Sequence, residues 1–459
     1  MTIAGPRHVF VAAPGEPAYE TATRVFNLAA PARPAAAVTA RTLDEVRAAV
    51  RYAESEGLGV RVHATGHAAG SVAPMDGALL IRTRLAGGVE VDPGRRVARV
   101  PAGARWREVV EAAAPHGLAA PHGSSPTVGV VGYLLRGGVS FYGRKVGVAA
   151  NGVRAVELVT AGGDVRRVDA ASDPELLWAL RGGGGGFGVV TSVELDLFPA
   201  RGVVTGAAFW PAAHAPRLLR LWRRWARHAP WEAATSVRIL NLPDLPEIPA
   251  ELRAGPVLCL AGVVLAGDHP ASAPAQAEEL LGPLRSAAPP LLDTWRPARP
   301  AEVLETHMDP TEPVALHGDH LLLGEIGDDA VDAFCRVTGE GSGSPLVSAE
   351  LRQLGGALAV PVADGGALDH IDACYAYMGA GLPEGPESEE AIGRRFALVR
   401  AALAPWDTGR TAPTFVESTQ RPQGHLTAEQ VETLDRVRRR VDPPGLFRGD
   451  VTPGASAAA

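Results

Sequence analysis

Cysteine is almost missing from this chain. Cys259, Cys335 and Cys374 are the full complement, an odd number without C-x-x-C spacing. Such a set argues against both a disulfide framework and a thiolate metal site. An excess of positive charge is missing too. The formal net charge is −7, which leaves no electrostatic footprint for nucleic acid. No apolar run reaches the length of a membrane span, and the opening "MTIAGPRHVFVAAPGEPAYE" has no apolar stretch of the kind a secretory signal needs. The histidines of "HGDH", His317 and His320, have no further ligands near them in sequence, so no metal is expected. The expectation is a soluble, cytoplasmic enzyme with a small-molecule partner, no nucleic-acid or membrane partner, and an open oligomeric state.

What is abundant is glycine, 53 residues of 459, and it is concentrated in loops. Thr42 and Glu45 in "TLDEVRAAVRYAESEG" form a capping box ahead of Val46, Ala49, Val50 and Ala53 at helical spacing, with Gly57 as the stop. The strand "LGVRVH" follows and delivers the chain into "ATGHAAG", a bare loop carrying His67 four residues after His63. A second bare loop spans Pro121 to Gly147, "PHGSSPTVGVVGYLLRGGVSFYGRKVG". Glycine at this density costs chain entropy. That cost makes sense where backbone N–H groups must approach an anionic group such as a pyrophosphate. "GVRAVELVTAGGDVRRVDA" reads as a hairpin turning at Gly162-Gly163. Ser172 and Glu175 read as another capping box, and the helix they open runs into "GGGGGFGVVTSVELDLFP". This glycine run is not a Rossmann fingerprint, because it follows a helix and lies far downstream of the first strand.

Taken together, these segments resemble the berberine-bridge-enzyme-like branch of the vanillyl-alcohol-oxidase / p-cresol-methylhydroxylase family of FAD enzymes. The likeness runs over "PGEPAYETATRVFN", "RPAAAVTARTLDEVRAAVRYAESEGLGVRVHATGH", the second loop, the glycine run and the closing "LDRVRRRVDPPGLFRGD". The resemblance implies an α+β fold: a two-subdomain FAD-binding domain over 1–199 and an antiparallel-sheet substrate domain with flanking helices over 200–411. A return to the FAD domain is implied over 412–451, with a disordered tail at 452–459. It implies that His67, in the triplet Thr65-Gly66-His67, bonds covalently to the 8α-methyl of the flavin, with His63 and Ala64 at the pyrophosphate turn. Ser125, in His122-Gly123-Ser124-Ser125-Pro126-Thr127-Val128-Gly129, stands where doubly linked members carry a cysteine, so no C6-cysteinyl link is implied. Val128 falls at the position that admits or blocks O2, and valine is similar to the oxidases. Gly123, Ser124, Gly129, Gly132, Tyr133, Asn151, Val153, Gly188 and Val190 complete the implied cofactor contacts. "TFVESTQRP" departs from the family's Asn-aromatic strand.

An oxidation of this kind needs a base within reach of the reacting carbon. Tyr375 and Tyr377 in "DACYAYMGA" are two of only six tyrosines, and as i and i+2 on a strand they share a face, which is expected to point at the flavin. Glu417 is the other catalytic candidate, just upstream of the closing helix. Glu350, Arg352 and His370 are further candidates, with Glu350 expected to pair with Arg352 on one strand face. The expected function is an FAD-dependent oxidase that passes a hydride from an alcohol or activated C–H to flavin N5, with O2 as acceptor giving H2O2. Secondary-metabolite tailoring and carbohydrate oxidation both suit it. A dehydrogenase with another acceptor, and a flavin-binding protein without redox turnover, are the alternatives.

Overall fold

A capping box starts the first α/β unit as expected. The Thr42 hydroxyl accepts from Glu45 N–H and the Glu45 carboxylate reaches back to the N-cap backbone, opening the helix Leu43–Ser55. Its buried stripe of Val46, Ala49, Val50 and Ala53 rests on a three-stranded parallel sheet ordered Ala36–Ala40, Ala78–Thr83, Gly59–His63. The computed structural model describes residues 10–449 apart from 73, 201, 268–270 and 419–423. The expected tail at 452–459 lies outside them.

A five-stranded antiparallel sheet follows, ordered Glu90–Asp92, Val97–Pro101, Val189–Asp196, Val153–Val159, Val165–Asp169. The hairpin between its last two strands turns at Gly162-Gly163, where Gly163 has φ +77°. The helix Pro174–Leu180 departs from the expected cap. Asp173 is the N-cap and accepts from Leu176 N–H at 3.0 Å, while the Ser172 hydroxyl turns back to Asp169 N–H. Pro174 at the first helical position moves the cap one residue on from Ser172, since its fixed φ suits N1.

Residues 203–381 build one large antiparallel sheet, with Val203–Pro211, Val257–Leu265, Ala233–Leu240, Ser348–Gln353, Tyr375–Gly381 and His317–Leu323 side by side. The helices Ala215–Ala226, Ser272–Ala287, Asp328–Thr338 and Pro386–Leu403 cover one face, sealing Trp210, Trp222, Phe334, Leu321, Leu351 and Tyr377 in the largest core. The opposite face meets the second glycine-rich loop: Val139 and Val148 pack with Leu322 and Ala376, and Phe141 and Tyr142 pack with Val203 and Val263. The closing helix Ala428–Val441 returns to the first part of the chain. Leu434 and Val437 enter the core beside Leu176 and Leu180, and both terminal nitrogens of Arg440 donate to Asp173 at 2.9 Å. Phe447 bridges to Val60 beyond it.

Candidate active site

The strand Gly59–His63 ends where the first bare loop begins, and two neighbours set the course of that loop. Gly66 has φ +72°, and a Cβ there would lie 2.7 Å from Val25 Cα, so only glycine fits. The next residue, Phe26, donates its N–H to Thr65 O at 3.0 Å and lays its ring on His67, 3.7 Å between centroids and 14° between planes. His67 Nε2 sits 3.0 Å from the Thr127 hydroxyl, which is itself 3.0 Å from the Ser125 hydroxyl. Burial lowers the His67 pKa to about 4, with Arg105 adding to the effect and Asp309 and Thr127 opposing it. The imidazole is therefore neutral at pH 7. His63 is engaged elsewhere. Its Nε2 donates to Ala22 O at 2.8 Å and ties the strand to the helix Pro17–Thr23.

The second loop closes on the first. Trp106 N–H donates to Val128 O and Val130 N–H to Ala104 O, and a Cβ on Gly129 would press on Ala64 and Thr65. Beside this junction opens a cavity of about 520 Å3 whose wall includes Ala64, Thr65, Arg41, Arg82, Arg84 and Arg105. Burial lowers the Arg82 pKa, and Arg84, Arg105 and Arg24 lower it further, because like charges converge there. Gly132 is solvent-exposed on the short helix Val130–Leu135 with open space where a side chain would stand, and Val128 is half-buried. The Tyr133 ring fills the room left by Gly123 and Gly138. Tyr133 Oη and His122 Nε2 are both buried and without a hydrogen-bond partner among the described residues. Buried polar atoms of this kind call for an explanation.

Four of the expected cofactor contacts lie away from this cavity. Asn151 donates to Asp369 O at 2.7 Å and accepts from Gly366 N–H, pinning a neighbouring loop. Val153 and Val190 are core residues of the five-stranded sheet, and Gly188, at φ +140°, makes room for Val159 O.

The tyrosine expectation is corrected by the strand register. Tyr375 and Tyr377 do share a face, but it is the helix-covered one: Tyr375 packs against Trp222 and Tyr377 against Phe334. Tyr377 pairs with Leu351, whereas the face turned to the second loop carries Ala376 and Met378 opposite Arg352 and Glu350. A period of two fixes which residues go together but not which side they take. Glu417 lies against the end of the first loop. Its carbonyl oxygen occupies the space a Cβ on Gly70 of the first loop would need, and its side chain crosses Gly318. Glu417 Oε2 is buried without a partner among the described residues, and burial pushes the carboxyl up to about 7, against the pull of Arg136. His370 pairs with Asp369 at 2.9 Å, apart from these groups.

One part of the site was not anticipated. Glu350 pairs with Arg352 at 2.8 Å as expected, but it also holds His307 Nε2 at 3.2 Å, and His307 Nδ1 meets Asp309 at 2.6 Å. Arg238, opposite Glu350 in the register, reaches His307 and the Cys259 sulfur. Burial alone would raise both carboxyl groups; instead His307 holds Asp309, and Arg352 and His307 hold Glu350, well below the usual carboxylate range. Ser124 hydrogen-bonds Asp309, and Phe141 lies under Arg352, so this network faces the second loop. Met308, between the two inward residues, is exposed and has φ +56°, a conformation costly for a side chain of that size. In sequence, "THMDP" carries no spacing signal that separates it from an ordinary loop.

The fold and this convergence of loops define a class: a flavin-binding α+β protein with a separate antiparallel sheet over its cofactor side. Residues 34–169 match the family model described as FAD binding domain, and they form such a domain. Over nearly its whole length the chain has the fold of the berberine-bridge-enzyme-like proteins, as the resemblance implied. BBE-like 1 of Physcomitrella patens superposes with a TM-score of 0.78 at 21% identity over 96% of both chains. The 6-hydroxy-D-nicotine oxidase of Arthrobacter nicotinovorans gives 0.80 at 23% identity over 97% of this chain and 98% of that one. In sequence, the chain is 37% identical over 179 residues to the (R)-6-hydroxynicotine oxidase of Paenarthrobacter nicotinovorans. That stretch is 39% of each protein, so the match spans well under half of the relative's length.

The residues present fit FAD. Four guanidinium groups on the cavity wall suit a diphosphate, and the small residues Ala64, Gly103 and Ala104 share that wall.

Proposed function

We propose that this protein is an FAD-dependent oxidase of a small molecule, with its FAD bonded through His67 alone. The observation that carries this reading is the meeting of a neutral, stacked His67 with the second loop beside an arginine-lined cavity. Relatives named as oxidases support it, among them the hydroxynicotine oxidase and the xylooligosaccharide oxidase of Thermothelomyces thermophilus, 32% identical over 190 residues. Bound FAD supplies a two-electron acceptor for a hydride. The chain supplies the rest. Arg41, Arg82, Arg84 and Arg105 neutralise the diphosphate, and Ser125 leaves a single attachment point. Val128 stands where oxygen access would be set. Glu417, buried and poised near neutrality, takes the substrate's proton, since a base works best with a pKa near the working pH. The Glu350–His307–Asp309 network and its two arginines orient a polar substrate against the second loop. The substrate is a secondary metabolite or a carbohydrate.

An absorption spectrum of the purified protein, followed by acid precipitation, tests this reading. Absorbance near 450 nm (roughly, as for an oxidised flavin) that stays with the pellet is the expected result. Colour released to the supernatant removes the covalent bond, and a colourless protein that FAD cannot reconstitute removes the function.

A further inference from the structure

Behind His67 runs a short chain of hydroxyls. Thr127 and Ser125 are both buried, two residues apart in the second loop, with their oxygens 3.0 Å from each other. Thr127 Oγ1 is also 3.0 Å from His67 Nε2, and Thr127 N–H leans on Ser125 Oγ at 3.4 Å. The imidazole plane is held by Phe26. Its Nε2 is engaged by the Thr127 hydroxyl, and the Thr127 backbone also bonds the ring.

We propose that Thr127, backed by Ser125, is the positioning residue for flavin attachment. It holds the proton of His67 on Nε2, so that the bond to the 8α-carbon forms at Nδ1, and it receives that proton as the bond closes. The inference rests on the reading that FAD is bonded through His67.

In this step a C–H bond of the 8α-methyl is replaced by a C–N bond to Nδ1. One proton leaves the methyl carbon and one leaves Nε2. The two electrons released pass through the flavin to dioxygen, which takes up both protons as hydrogen peroxide. Before the step, neutral His67 carries its proton on Nε2 and offers the Nδ1 lone pair. Afterwards Nδ1 is substituted and Nε2 carries the lone pair, so the hydrogen bond between Nε2 and Thr127 must reverse its direction. A hydroxyl can accept first and donate later. The Thr127–Ser125 pair gives the displaced proton a path through groups already in contact. A methyl group in place of the Thr127 hydroxyl would fill the same space and remove the group that accepts and then relays the Nε2 proton.

The test compares wild type, Thr127→Val, Thr127→Ser and Ser125→Ala, each purified with FAD. Native absorbance reads bound flavin, acid precipitation reads the covalent fraction over time, and NMR of the isolated flavin peptide reads which nitrogen is bonded. In the wild type the bond is at Nδ1. Thr127→Val still binds FAD but attaches it on the order of a hundredfold more slowly, the scale of a lost proton-transfer partner. Thr127→Ser restores attachment, and Ser125→Ala lies between. Attachment by Thr127→Val at the wild-type rate, or a wild-type bond at Nε2, overturns the proposal while leaving the covalent reading intact. Flavin released by acid from the wild type overturns both. Should Thr127→Val fail to hold FAD at all, the Ser and Ala variants decide: equal rates in all three proteins that bind FAD overturn it.

Discussion

At the scale of single residues, Glu417 shows how burial without a partner sets a working pKa. Its carboxyl is pushed from an ordinary 4.5 to about 7 in the folded protein because burial disfavours the charged form, and Oε2 finds no donor among the described residues. The sign follows from proton counting. Between pH 4.5 and 7 the folded state holds a proton the unfolded chain has lost, so this stabilising contribution is full below 4.5 and gone above 7. Glu417→Gln should remove that slope and make the protein more stable at pH 8.5 by about 3 kcal/mol, the equivalent of the shift, with little change at pH 4.5. Urea unfolding at the two values checks it. An unchanged difference between the two pH values would mean that Glu417 is solvated and no base.

At the scale of elements, the strand Tyr375–Gly381 separates structural from chemical tyrosines. Tyr377 is fully buried against Phe334, and its hydroxyl has no partner among the described residues. Tyr377→Phe should leave flavin content unchanged and raise stability by about 1 kcal/mol, since an unpaired buried hydroxyl is removed without leaving a cavity. Tyr377→Ala should cost about 3–5 kcal/mol, as for other large core side chains. Thermal unfolding and the visible spectrum read both outcomes. The same strand marks the limit of the sequence. Helix Leu43–Ser55 was legible because cap, apolar spacing and stop all agree, and the loops around His67 and Thr127 were legible as glycine-rich breaks after strands. Which face of a strand meets the cofactor domain depends on contacts with chain more than two hundred residues away, such as Val139 and Val148, and alternation says nothing of them. His307 and Asp309 were hidden for a related reason: a strained Met308 turns both inward, and no local pattern encodes that.

At the scale of the whole molecule, buried histidines make the fold sensitive to acid. Burial lowers His63, His122 and His425 each to about 4, from an ordinary 6.5. Below pH 6.5 the unfolded chain takes up protons that the folded state refuses, so stability is complete above that value and drains away as pH falls towards 4. Each group should forfeit roughly 2 kcal/mol between pH 6.5 and 5, partly offset by the opposite behaviour of Glu417. The midpoint of urea unfolding should therefore fall on going from pH 7 to 5. A midpoint that holds or rises would show that these imidazoles charge freely in the folded state.

Phe26 carries a consequence for how portable this cofactor site is. The stretch that matches other FAD binding domains begins at residue 34, yet the ring that fixes the plane of His67 precedes it, and Asp309, which acts on His67 electrostatically, lies far beyond its end. Phe26 and Leu28 are stitched to Val314 by two 3.0 Å backbone hydrogen bonds, so a strip from before the domain is clamped to a loop after it. A graft of residues 34–169 into another scaffold would transplant the glycine-rich loops and the histidine but leave behind both jaws of the clamp. The matched stretch holds His67, while the setting of its ring is a property of the closed circuit.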